Sequence, residues 1–181
     1  MLTEFQKKLT SVAGYKDSRQ KYADEVLDNP ELLAELIPLC FETSDKCHPK
    51  ACWVFELICI EKIDSIKEFL DFFCSNIEKL TNESAIRSIS KVCFLLTVSH
   101  FKKKEIQLTE NHLEQIAETC FDWLIKDTKV ASKAHVMRTL YLLGHHFDWI
   151  HPELKTIITK DFPNHTPAYK AVAKEVLKKI K

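Results

Sequence analysis

Gly14 and Gly144 are the only glycines in a chain of 181 residues. Sheet proteins draw on glycine for tight turns, bulges and positive-φ positions, so a chain this poor in it is expected to fold into helices. With 45% apolar and 29% charged residues, the composition fits an all-α protein. The length suffices for one compact domain with a real core.

Apolar residues recur at helical spacing nearly throughout. Residues 4–12 and 15–28 read as two short helices parted by Gly14. Pro30 suits a first helical position, and Leu33, Leu36, Ile37, Cys40 and Phe41 then fall on one stripe. Pro49 precedes ACWVFELICIEK, apolar nearly all round and expected to be buried. Ile63, Ile66, Phe69, Leu70, Phe73, Ile77 and Leu80 predict one helix over 63–80. A strongly apolar helix is expected over 84–100 and a loop at FKKKEIQLTE. Thr109, with His112 three residues on, predicts a cap for the helix after it. Helices over 109–126 and 130–147, one after Pro152 and one from Thr166–Pro167 bring the number to about ten.

The helices pair into units that start near 30, 63, 109 and 151, a period of about 33 to 46 residues, which belongs to α-solenoids. A finer echo accompanies it. Lys50-Ala51, Lys133-Ala134 and Lys170-Ala171 are each followed, six residues after the alanine, by Leu57, Leu140 and Leu177. Arg87-Ser88 with Phe94 reads as a degraded fourth copy. The copies follow turns that carry Asp45, Asp127, Asn164 and Asn82. A turn Asp or Asn, then a basic residue, then small and apolar residues resembles the HEAT repeat over residues 30–181. The resemblance implies a right-handed α-α superhelix of HEAT and armadillo kind, with about four helical hairpins over 30–181 and residues 1–28 capping one end of a single domain. It also implies structural roles for Asp45, Asp127, Lys50 and Lys133, bonded between neighbouring units. The alanine pair usual in second helices is missing, with Trp53, Ser90, Val136 and Ala173 at one of its positions.

Seven cysteines is an odd number, and Cys40, Cys52, Cys59, Cys93 and Cys120 lie inside apolar runs. Buried free thiols in a reducing compartment, the cytoplasm, are expected. The first fifteen residues hold no run of signal-peptide type, and no stretch reaches the ~18–20 apolar residues of a membrane span, so no membrane partner is expected. Formal net charge is zero. A protein that neutralises many phosphates usually carries a basic excess, which argues against nucleic acid as the main partner.

The stretch SKAHVMRTLYLLGHHFDWIH holds four histidines. On one helix, Val136, Met137, Leu140, Leu143, Gly144 and Phe147 make an apolar stripe, while His135, Arg138, Leu142 and His145 share another face. His135 and His145 are roughly 15 Å apart along the axis and cannot chelate one zinc. A site there needs His151 or His165 folded beside His145 and His146. Cys47, His48 and Cys52 lack the paired CxxC spacing of structural zinc, and a nucleophile at Cys47 lacks a third residue to orient His48. Glu56, inside WVFELICI, is either paired or exposed on the helix edge, with exposure the simpler expectation. Trp53, Trp123 and Trp149 suit packing between units, and Lys102, Lys103 and Lys104 suit a solvated loop tip. Phosphate loops, nucleophile elbows and zinc fingers are absent as motifs.

The expected activity is therefore non-catalytic, with no cofactor, no metal and no assignable reaction. The chain reads as a protein-protein interaction scaffold or adaptor of HEAT-repeat type. Lys91, His135 and Arg138 are the expected binding residues, and another protein the expected partner. The alternative is a nucleic-acid binder similar to the DNA alkylation repair proteins, which also use HEAT-like helices. A structural subunit that completes an oligomer would read the same way.

Overall fold

A computed structural model of the chain describes residues 3–126 and 130–180. Among them there is no strand, and ten α-helices follow in order: α1 Glu4–Leu9, α2 Lys16–Asp28, α3 Leu33–Phe41, α4 His48–Glu61, α5 Leu70–Cys74, α6 Glu83–Val98, α7 Glu110–Ile125, α8 Val130–Leu143, α9 Ile150–Asp161 and α10 Pro167–Lys179. No described helix is long and apolar enough to cross a membrane.

Local chemistry accounts for most helix starts. Asn82 Oδ1 accepts the backbone N–H groups of Ser84 and Ala85 at 2.9 and 3.1 Å, satisfying orphan donors of α6. At α7, Thr109 Oγ1 accepts from His112 N, and His112 Nδ1 accepts from Thr109 N, a reciprocal capping box with histidine in the usual Glu or Gln position. Pro167 opens α10 behind the cap Thr166.

Two segments depart from the sequence pattern. The single helix expected over 63–80 is three short pieces: a 3₁₀ stretch Ile63–Phe69, α5, and a 3₁₀ turn Ile77–Lys79. Just after α5, Ser75 Oγ donates to the carbonyl of Asp71 at 2.7 Å and Asn76 Nδ2 donates to that of Phe72 at 2.7 Å. Side chains that bond local carbonyls in this way compete with the helical ladder and end it. The second departure is the expected loop tip. Ser99–Lys103 continues α6 as a π-helical turn, closed by Lys104 N–H donating to Ser99 O at 2.6 Å. Lys104 is the one described non-glycine residue at positive φ, at 61°.

The chain divides into two compact units, Met1–Val92 and Cys93–Lys181, with the boundary inside α6. In the first unit α4 packs against α2 and α3. It buries Ala51, Cys52, Val54, Phe55, Leu57, Ile58 and Cys59, as its nearly all-round apolar sequence predicts. Each large apolar side chain buried here contributes ~1.5–3 kcal/mol relative to exposure. Phe41 and Phe55 meet Phe73 at ring centroid distances of 5.8 and 6.0 Å. In the second unit α8 is the helix that α7, α9 and α10 all pack against. Val136, Met137, Leu140 and Leu143 are wholly buried there. Leu142, expected on the other face, is buried as well.

Candidate functional site

The end of α8 gathers an array of rings. His151, from α9, lies beside His145, with ring centroids 5.1 Å apart and planes at 87°. Both pack on Tyr141: His151 stacks at 5.6 Å and 16°, and His145 meets it edge-on at 4.9 Å. His151 Nε2 lies 2.9 Å from the carbonyl of Tyr141, which can only accept, so this nitrogen carries the proton. Lys179 Nζ sits 5.7 Å from the Tyr141 ring centroid.

Next to this array is a second group. His100 meets Phe101 at 4.6 Å, and Phe101 meets His146 at 6.3 Å. His146 Nε2 lies 2.8 Å from Glu110 Oε2. His100 Nδ1 accepts the backbone N–H of Leu108 at 3.0 Å, so His100 is neutral and protonated on Nε2 in this arrangement. Burial lowers its pKa below the ordinary histidine value, helped by Lys104 and His146 and opposed by the Ile106 backbone. Burial also lowers that of His145, with His151 and Lys102 adding like-charge repulsion. The lysines of FKKKE, expected as a solvated tip apart from aromatics, therefore flank histidine and aromatic rings.

Charge is segregated along the chain. The first unit holds 12 Lys and Arg against 16 Asp and Glu, a net of −4; the second holds 14 against 10, a net of +4, with seven of the eight histidines. The formal neutrality of the whole conceals a basic, histidine-rich second half. Beside its histidines, Trp149 stacks on Phe121 at 5.4 Å and 29° and approaches Phe147 at 6.4 Å, yet is 51% exposed. Trp149 was expected to be core; Trp123 is buried and Trp53 half-buried.

The binding residues expected from sequence lie in both units. Lys91, in the first, is 3.4 Å from Glu56 Oε1. Arg138, in the second, is 2.8 Å from Glu175 Oε2. His135 is half-buried, with its ring 6.2 Å from that of Phe94. Both Lys91 and Arg138 thus have carboxylate partners within the chain.

Glu56 is buried rather than on a solvated edge. Ser88 Oγ donates to its Oε2 at 2.6 Å, and Arg87 and Lys91 each approach within 3.4 Å. Two half-exposed cations and one hydroxyl offset the cost of burying its charge. Asp45 bonds locally, accepting the N–H of Cys47 at 2.7 Å, and Lys50 Nζ donates to the Thr10 carbonyl. Lys133 is buried; Asp127 lies outside the described residues.

In the Cys47–Cys52 group, His48 is placed by Cys40 and Cys52 and not by Cys47. His48 Nδ1 and Cys52 Sγ both lie 3.4 Å from the Cys40 carbonyl, and all three residues are buried. Burial holds the Cys40 thiol well above its ordinary value. Among the described residues no three His, Cys, Asp or Glu side chains come together to hold a metal ion. The first unit has a half-open cleft of about 440 Å³ lined by Val26, Leu27, Pro30, Leu33, Lys62 and Phe69.

Comparisons with protein-family models, with curated proteins and with solved structures find no match to this chain.

Proposed function

We propose that this chain is a non-catalytic protein-interaction module whose helices form a HEAT-like right-handed superhelix. Its working surface, on this reading, is the aromatic and histidine-rich face of the second unit. The observation that carries the reading is Trp149, half-exposed yet held by Phe121 and Phe147. A large ring fixed by neighbours loses little entropy on binding, which is why tryptophan dominates interface hot spots. Polar His146 and Glu110 nearby suit the rim of such a contact. Seven free cysteines, six of them buried, favour a reducing compartment, the cytoplasm.

One observation favours a second reading, nucleic-acid binding: the net of +4 on the second unit. Affinity capture from native lysate at ~0.15 M salt, with and without nuclease, separates the two. A stoichiometric protein that survives nuclease and is weakened at least ~tenfold by Trp149→Ala supports the interaction module. Nucleic acid in the eluate, lost on raising salt, would replace it with the second reading.

A further inference from the structure

We infer that the surface formed by the 99–104 turn and the end of α8 docks a carboxylate-rich segment of a partner protein, and binds it more tightly in acid. The inference rests on the interaction-module reading and names the partner's chemistry.

Geometry supplies the first argument. Lys102 and Lys104 come from the turn, His145 and His146 from the end of α8, His151 from α9 and His100 from the start of the turn. Three of the described carboxylates nearby are engaged, while the exposed Asp148 lies between His146 and His151 in the chain. Glu110 meets His146 at 2.8 Å, Glu105 meets Ser99 Oγ at 3.4 Å, and Glu175 is held between Arg138 and Lys179 at 2.8 and 2.9 Å. Lys102 and His145 are both exposed and have no ion pair with a described residue. His145, in the turn just after α8, is faced by Tyr141 from α8, His151 from α9 and Lys102 from the 99–104 turn. These neighbours bring two potential cations and no carboxylate.

The backbone supplies the second. Lys104 sits at φ 61° and ψ 24°, where a residue with a Cβ costs roughly 1 kcal/mol more than glycine. This strained conformation holds a cation beside His100. Strain of this kind is retained where surroundings over-determine it, and it concentrates at functional surfaces.

Ring geometry favours a peptide over a single-stranded nucleic acid. Base stacking needs free aromatic faces. The Tyr141 ring is stacked by His151 and approached by Lys179, and Trp149 has one face on Phe121. A carboxylate needs only donors, and imidazole and ammonium groups supply them. Burial, with repulsion from His151 and Lys102 added, keeps the proton off His145, and a docked negative charge opposes both, so binding takes up a proton.

The test is fluorescence anisotropy of labelled hexaglutamate with the full chain at about pH 6 and about pH 8. A hexaserine peptide and a dodecathymidylate are the controls. Hexaglutamate is expected to bind about tenfold tighter at the lower pH. His145→Gln should keep the affinity at the higher pH and lose the acid gain. Lys102→Gln should weaken binding at both, and circular dichroism verifies that both variants fold. Binding with no pH dependence, binding untouched by both substitutions, or tighter binding of the oligonucleotide would overturn the inference. A captured partner that survives both substitutions unchanged would overturn it and leave the interaction module standing. Capture of no protein at either pH would remove the module reading itself.

Discussion

The His151 imidazole fills the space where a side chain on residue 144 would begin: a Cβ on Gly144 would lie 2.0 Å from its Cδ2 and 2.3 Å from its Nε2. Gly144 is not at positive φ, so the ring, not the backbone, excludes a side chain. The ring is held by its bond to the Tyr141 carbonyl and by stacking on Tyr141. Gly144→Ala gains ~0.5–1 kcal/mol of backbone entropy but overpacks the site by ~1–3 kcal/mol. A net loss is expected in denaturant midpoints, reduced when His151→Ala is added. A more stable Gly144→Ala would show that the contact yields freely.

Tyr169 is wholly buried, stacked on His165 at 3.9 Å, and its hydroxyl has no hydrogen-bond partner among the described residues. Burial, followed by Asp161, raises its pKa to about 12. An unsatisfied buried hydroxyl costs ~1–3 kcal/mol, so Tyr169→Phe should leave thermal stability unchanged or raise it. A loss would reveal a partner for this oxygen.

His100 accepts the Leu108 N–H only while neutral. Its folded pKa lies below 6.5, so the unfolded chain binds the proton more readily between the two values. Its contribution to stability is full above 6.5 and is lost as pH falls from there toward the folded value. His100→Gln should flatten this acid limb. His48 shifts upward through its bond to Cys52 and contributes with the opposite sign, but it is common to both proteins and cancels in their difference. Equal acid limbs in denaturation series at about pH 7 and about pH 5.5 would refute the assignment.

Glu175 is held at about 2 by hydrogen bonds first from Arg138 and then from Lys179. A depressed carboxyl stabilises above its unfolded value of 4.5 and loses that contribution as pH falls toward 2. Its side chain is 37% exposed, so solvent screening limits the pair to less than ~1 kcal/mol. Carbon NMR of the carboxyl in Arg138→Met should show titration moving back toward 4.5. An unmoved titration would assign the shift to Lys179 alone.

Cys47 is half-buried, whereas the other six cysteines are buried. Burial and then Asp45 raise its thiol pKa, so it should react slowly near neutral pH. A disulfide reagent should count one thiol per native chain and seven after denaturation. Prompt reaction of two or more native thiols would contradict the burial of the other six.

Helical class and most helix positions were legible in the sequence because both depend on local spacing. Thr109 and His112, three residues apart, form the cap that their types imply, and the stripe from Leu33 to Phe41 is buried. The interior breaks over 63–80 were not legible, because Ser75 and Asn76 compete with the ladder only through a particular geometry. Glu56 looked like an edge residue because its partners Ser88 and Arg87 lie more than thirty residues away, on another helix.

The sequence by itself determined an all-helical chain, buried thiols, and an abundance of histidine and lysine around the end of α8. Only tertiary structure decided that His100 meets Phe101 and Phe101 meets His146, and that His151 stands against Gly144. A helix is specified by neighbours three and four residues away, which any sequence displays. Contact between residues 101 and 146 depends on how the turn that continues α6 meets the end of α8, and one residue's shift along a helix turns its side chains by about 100°.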